Sequence, residues 1–431
     1  MEFNFGGFEE SVDFSTELED FVVNKVRKFD RLWRCGEGGS VCFTAYHEEK
    51  VYFGAMDSYV YCVNGETGEE IWRFRAGGGF MSAPTVHGNL VYIGSFDTCV
   101  YALEKDTGRF VWKFRTSGKI FSIPFVYEGM VYIGSHDGYL YALDARTGKE
   151  IWRFKTGDEI AACPLAYEDK VYIGSYDGYF YCLDARTGKE IWRFKTGDQI
   201  QVTSTPQIVG NTVYFGSFDN HLYAVDCETG KEKWRFRGGK YGVTGPPRYY
   251  KGLLFFPTRD GILFTLTLNG NEIWRFKTGG LIPRVFGMND NIYFGSEDGN
   301  AYCLNPKGKE IWRFRAGGPV YDMQTDPEHG RVYFGSWDCH VYCVNGETGE
   351  EIWKFQTSSL RISYTPPAYE SFEMEVRKTV NEDELKEERY DVKEVRRSET
   401  ESEYSVKNEY TFKSEYQTKG KYSHKLNSPS V

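Results

Sequence analysis

With 431 residues the chain could hold two or three average domains, although a closed repeat architecture can run this long as one unit. Aromatic residues make up 17% of it, with 32 Tyr and 32 Phe, which favours strands. Its 52 basic and 62 acidic residues leave a formal charge of −10, and that balance argues against a nucleic-acid backbone as the main partner.

Residues 1–29 read as a lead-in. Residues 1–20 are acidic and hold no basic stretch followed by an apolar one, so no signal peptide is expected. No apolar run reaches the roughly 18 residues of a membrane span. The expectation is a soluble, cytoplasmic protein.

A tryptophan then recurs at Trp33, Trp72, Trp112, Trp152, Trp192, Trp234, Trp274, Trp312 and Trp353. The spacings are 39, 40, 40, 40, 42, 40, 38 and 41 residues. A period near 40 with strand-like content is the signature of a β-propeller. In the clearest repeat, strands are predicted at 131–135, 139–143 and 150–155, with turns at Asp137-Gly138 and Thr147-Gly148. The stretch 160–166 after the tryptophan supplies a fourth, inner strand. Arg153 and Lys155 suit an outermost edge strand, where charge discourages sheet-to-sheet pairing.

The turn aspartate recurs at Asp57, Asp97, Asp137, Asp177, Asp219, Asp260, Asp298 and Asp338, so eight hairpins give eight blades. A side chain bonded to its own turn backbone explains all eight better than catalysis does. Cys62, Cys182, Cys303 and Cys343 fill a position that is Ala102, Ala142 and Ala224 elsewhere. Such a position wants a small buried side chain rather than a metal ligand or a disulfide. Nine tryptophan strands against eight hairpins leave one strand over. Pairing both chain ends in one sheet would close the ring, with the strand around Trp33 beside the last blade.

Three repeats depart from the pattern. Two extra residues follow blade 4, around 199–205. Blade 6 reads Leu254-Phe-Phe-Pro-Thr-Arg-Asp-Gly261 and shortens its second turn to Asn269-Gly270, and blade 7 shortens to Pro306-Lys307-Gly308. These irregularities mark the side of the ring expected to carry function. After residue 368 the pattern stops. The tail 369–431 mixes 15 acidic with 12 basic residues, and 404–422 alternates aromatic with polar. It is either a solvated disordered tail or an assembly and partner-binding segment.

The run Ala142-x-Asp144-x-x-Thr147-Gly148-Lys149-Glu150-x-Trp152 resembles the tryptophan-docking motif of the pyrroloquinoline-quinone (PQQ) type propeller repeat, the quinoprotein and BamB-like family. The resemblance covers roughly residues 30–368. It also extends to cytoplasmic archaeal propellers of this type. It implies an all-β, eight-bladed propeller of four-stranded antiparallel blades. It also implies that Trp72, Trp112, Trp152, Trp192, Trp234, Trp274, Trp312 and Trp353 dock each blade on its neighbour. Quinoproteins of the family generally need a calcium held by Glu, Asn and Asp near the axis, an aromatic floor, and usually a vicinal cysteine pair. This chain has no adjacent cysteines; the nearest are Cys339 and Cys343. Its histidines show no ligand spacing, and no nucleophile elbow or phosphate loop is present. No catalytic residue, cofactor or metal is expected.

Function should therefore lie where the repeats differ. The position before the turn aspartate reads Met56, Phe96, His136, Tyr176, Phe218, Arg259, Glu297 and Trp337. Exposed Phe96, Tyr176, Phe218 and Trp337 would suit an interface hot spot. The approaches to the inner strands add Lys119, Glu159, Gln199, Tyr241, Arg284, Tyr321, Asp322 and Arg361. Arg259, Arg284 and Arg361 could take a carboxylate or an acidic peptide. The first reading is a non-catalytic scaffold or adaptor that presents one face to a protein or peptide, with a homo-oligomer also open. The second is a small-ligand or cofactor-binding sensor at the channel mouth, and a PQQ-dependent dehydrogenase ranks last.

Overall fold

The computed structural model describes residues 39–197, 204–243 and 245–357. These form eight four-stranded antiparallel sheets with no helix among them. Each sheet uses contiguous chain, with strands side by side in sequence order. The blades are 41–75, 85–115, 125–155, 165–195, 207–237, 248–277, 285–315 and 320–356. Inner strands of most neighbouring blades touch in turn, and the inner strand of blade 8, Val320–Asp326, lies against that of blade 1, Val41–His47. The chain is thus an eight-bladed β-propeller.

The two middle strands of each blade carry the core. Met130–Gly134 is buried throughout, and Tyr139–Asp144 is buried over its four central residues. Such near-continuous burial is expected of strands covered on both faces by neighbouring blades. Edge strands behave differently. In Glu150–Lys155 only Trp152 is buried, and Phe154 is half-buried. The inner strand of blade 4 spans Leu165–Tyr167, shorter than the expected 160–166. Residues 160–164 instead form the loop between blades, and all five are buried without belonging to a ladder.

Among the described residues the ring closes between two whole blades. Blades 1 and 8 each own four strands, and they meet side by side like the other pairs. Trp353 Nε1 and Tyr333 Oη both donate to Gly65 O, at 3.0 and 3.1 Å. Ser40 Oγ donates to Trp337 O at 3.0 Å, and Thr357 Oγ1 to Gly39 O at 2.5 Å. The strand expected around Trp33 lies outside the described residues, as do the lead-in and the tail 369–431.

Candidate interaction face and channel mouth

The frame of the mouth is set by repeated hydrogen bonds. In blade 3, Asp137 Oδ1 accepts from Tyr139 N at 3.1 Å, the turn bond read from the sequence. Its Oδ2 also accepts from Tyr141 Oη at 2.8 Å and from Ser117 N, in the loop leading into the blade, at 2.9 Å. Burial and this carboxylate push the Tyr141 hydroxyl well above its ordinary range. The loop N–H bond recurs at Asp97, Asp177, Asp219, Asp298 and Asp338. Each of these six aspartates therefore ties a hairpin to an inter-blade loop.

The loops in turn tie blade to blade. Ile120 N donates to Ser95 O of blade 2, while Lys119 O accepts from His136 N of blade 3. Residues 159–160 and 319–320 bridge their own pairs of blades in the same way. The backbone N–H of the position before the turn aspartate is thereby held against a loop at Met56, Phe96, His136, Tyr176, Arg259, Glu297 and Trp337.

That placement corrects the expected exposure of the aromatic anchors. Tyr176 and Trp337 are only 7% and 5% exposed, and Phe96 and Phe218 are half-buried. Phe96 meets Phe121 at 4.6 Å, Phe121 stacks on His136 at 4.4 Å, and His136 meets Tyr176 at 6.4 Å. His136 Nδ1 lies 3.2 Å from Glu159, and Lys119 sits over Phe96. Across the ring Trp337 stacks on Tyr321 at 5.0 Å and 3°, Tyr321 Oη donates to Glu297, and Arg259 covers Phe218. Tyr321 and Tyr241 are buried too. The rim is a pre-packed band of rings and charges rather than a set of loose anchors. Gln199 and Arg361 lie outside the described residues.

A second group sits on the inner strands of blades 6 to 8 and 1. Strand register defines equivalent positions around the ring. Two residues before the inner-strand partner of the second-strand Tyr or Phe come Phe43, Ala83, Ile123, Cys163, Thr205, Pro246, Arg284 and Asp322. The inner-strand partner itself reads Ala45, Thr85, Phe125, Leu165, Gln207, Arg248, Phe286 and Gln324. Charge thus enters an otherwise neutral ring only at Arg248, Arg284 and Asp322.

Asp322 is fully buried and Arg284 is 11% exposed, with its Nη1 3.8 Å from Asp322 Oδ1. Gln324 Nε2 donates to Asp322 Oδ2 at 3.3 Å, and the Thr44 backbone bonds the same carboxylate. Burial still pushes the Asp322 carboxyl up to about 6, against the pull of Arg284. Arg284 lies over Phe43 and Arg248 over Phe286. Arg248 is exposed to solvent, yet protein crowding and the nearby Arg284 charge hold its guanidinium below the ordinary range, partly offset by Asp322. Sequence reading singled out Arg284 and Asp322 but missed Arg248. Its signal was a basic residue at an inner-strand position that is uncharged in every other blade.

Among the described residues no three His, Cys, Asp or Glu side chains converge to hold a metal. The nine described cysteines are buried free thiols, none adjacent to another. Burial pushes Cys62, Cys182, Cys303 and Cys343 up to about 12.

Residues 124–385 match a family described as the beta-propeller of beta-alanine-activating enzyme. Residues 23–99 and 57–165 match the family described as outer membrane protein assembly factor BamB. No curated protein matches the chain in sequence. Among solved structures, BamB from Moraxella catarrhalis superposes with a TM-score of 0.60 at 21% identity, over 69% of this chain and 91% of its own. The computationally designed Ika8 protein superposes with a TM-score of 0.63 at 18% identity, over 75% and 98%. At such identities the likeness shows the fold.

Proposed function

Because the chain belongs to the family of the beta-alanine-activating enzyme beta-propeller, we propose that it is a non-catalytic scaffold docking a protein or peptide on its hairpin-and-loop face. The observation that carries this reading is the contrast between frame and rim. The aspartate, tyrosine and tryptophan bonds repeat from blade to blade, while the residue ahead of the aspartate changes, its backbone held by a loop in most blades. Such pre-organisation lowers the ordering cost of binding. A BamB structure, from an assembly factor by the family's description, has a similar fold. A cytoplasmic location belongs to the same reading, supported by nine free thiols, which suit a reducing compartment.

The test is affinity capture with the full chain and three variants. Phe121→Ser and Arg259→Glu alter the face, and Ile311→Lys alters the outer edge. The reading expects one set of captured proteins to be lost from both face variants and retained by the edge variant. Equal capture by all four proteins, or calcium-dependent dye reduction on adding PQQ, would overturn it.

A further inference from the structure

Of the two arginines of the inner strands, Arg284 carries an unmet demand for acceptors and Arg248 is open to solvent. Among the described residues, neither the Arg248 nor the Arg284 guanidinium donates a hydrogen bond to protein. Their contacts are the 3.8 Å ion pair between Arg284 and Asp322 and the faces of Phe43 and Phe286. Arg284 Nε, Asp322 Oδ1 and Thr44 Oγ1 are all buried without a hydrogen-bond partner. A guanidinium presents five N–H donors in a planar fork, and buried donors left unpaired are costly. Two cations face one carboxylate here, so the group holds a net positive charge. That charge stands where every other blade is neutral.

We infer that this group is an oxyanion site, taking a carboxylate or phosphate group between Arg248 and Arg284. The ligand group matches the fork geometry bidentately. It would cancel the surplus charge and relieve the repulsion between the two guanidiniums. Asp322 holds Arg284 in place from behind through its loose ion pair, and Phe43 and Phe286 flank the two forks. Arg248, the exposed member, offers the ligand its route from the channel. This site goes beyond partner docking on the rim, and each can fail without the other.

Titration calorimetry on the full chain, in low-ionic-strength Tris-chloride, tests it with two probes, inorganic phosphate and citrate. Saturable one-site binding of at least one probe is expected, and comparison of the two tells a phosphate site from a carboxylate site. Arg248→Gln should weaken that binding at least tenfold while its thermal midpoint without ligand stays at the wild-type value. Arg259→Gln, on the rim, should bind as wild type does. Asp322→Asn should bind at least as tightly as wild type, because no carboxylate then competes for Arg284. No heat with either probe at millimolar concentration, or unchanged affinity in Arg248→Gln, would overturn the assignment.

Discussion

Asp322 occupies a position filled by Ala83 in blade 2 and Cys163 in blade 4, yet it buries a carboxylate completely. Its carboxyl rises from an ordinary 3.8 to about 6. The folded chain therefore takes up a proton more readily than the unfolded chain. Stability then falls as pH rises from about 4 to about 6, and the penalty stays in full above that window. Asp322→Asn resembles the protonated side chain. It is expected to be more stable than wild type at pH 7 by on the order of 1–3 kcal/mol, and to lose that gain below about pH 4. Thermal unfolding of both proteins at pH 4, 5.5 and 7 measures this. An equal gain at every pH would show that burying the charge is not the cause. The acidic residue was visible in the sequence, but its burial was not, because a repeat pattern gives a residue's place along a blade and not what the next blade lays over it.

At the scale of one element, the edge strand shows how strands that have no outer partner among the described residues are kept from pairing with other chains. Every blade has a register shift at the same place. In blade 3, Ala142 pairs with Trp152 and Leu143 with Glu150, which leaves Ile151 opposite nothing. A bulge of this kind twists and interrupts an edge. It also explains why Ile71, Ile151, Ile191, Ile273, Ile311 and Ile352 are all 42–49% exposed. Blade 5 carries Lys233 in this place with the same pairing shift. Ile151→Lys is thus expected to leave stability within about 0.5 kcal/mol of wild type. Chemical denaturation should show an unchanged midpoint, and a loss above about 1 kcal/mol would mean that the bulge residue packs after all. The charged flanks Arg153 and Lys155 were legible as edge protection. The bulge was not, since a one-residue offset leaves no mark in an alternating pattern.

The tryptophans act on the molecule as a whole. Trp112 Nε1 and Tyr92 Oη of blade 2 both donate to Ala145 O of blade 3, at 3.0 Å each. The indole lies on Gly148 of that blade, whose φ of +71° and close approach to the ring leave no space for a Cβ. The period near 40 made this architecture readable because the same joint is used eight times. What the period could not reveal is that the joints differ in strength. Trp234 and Trp274 are only half-buried, since the shortened turns of blades 6 and 7 cover them less, whereas Trp353 at the ring closure is 8% exposed. A closed ring has no free blade, so opening one joint exposes two blade faces at once. Trp353→Ala is expected to cost about 3–5 kcal/mol and to speed amide exchange in both blade 1 and blade 8. Trp274→Ala should cost clearly less and loosen only blades 6 and 7. Hydrogen exchange resolved by blade tests this. If Trp353→Ala raised exchange equally in all eight blades, the ring would unfold as one unit and the joints would have no separate strengths. The arginine pair would then sit on a frame as rigid as the rest. Separate strengths would instead make the Trp234 and Trp274 joints, which bound blade 6 and its Arg248, the most yielding part of the ring.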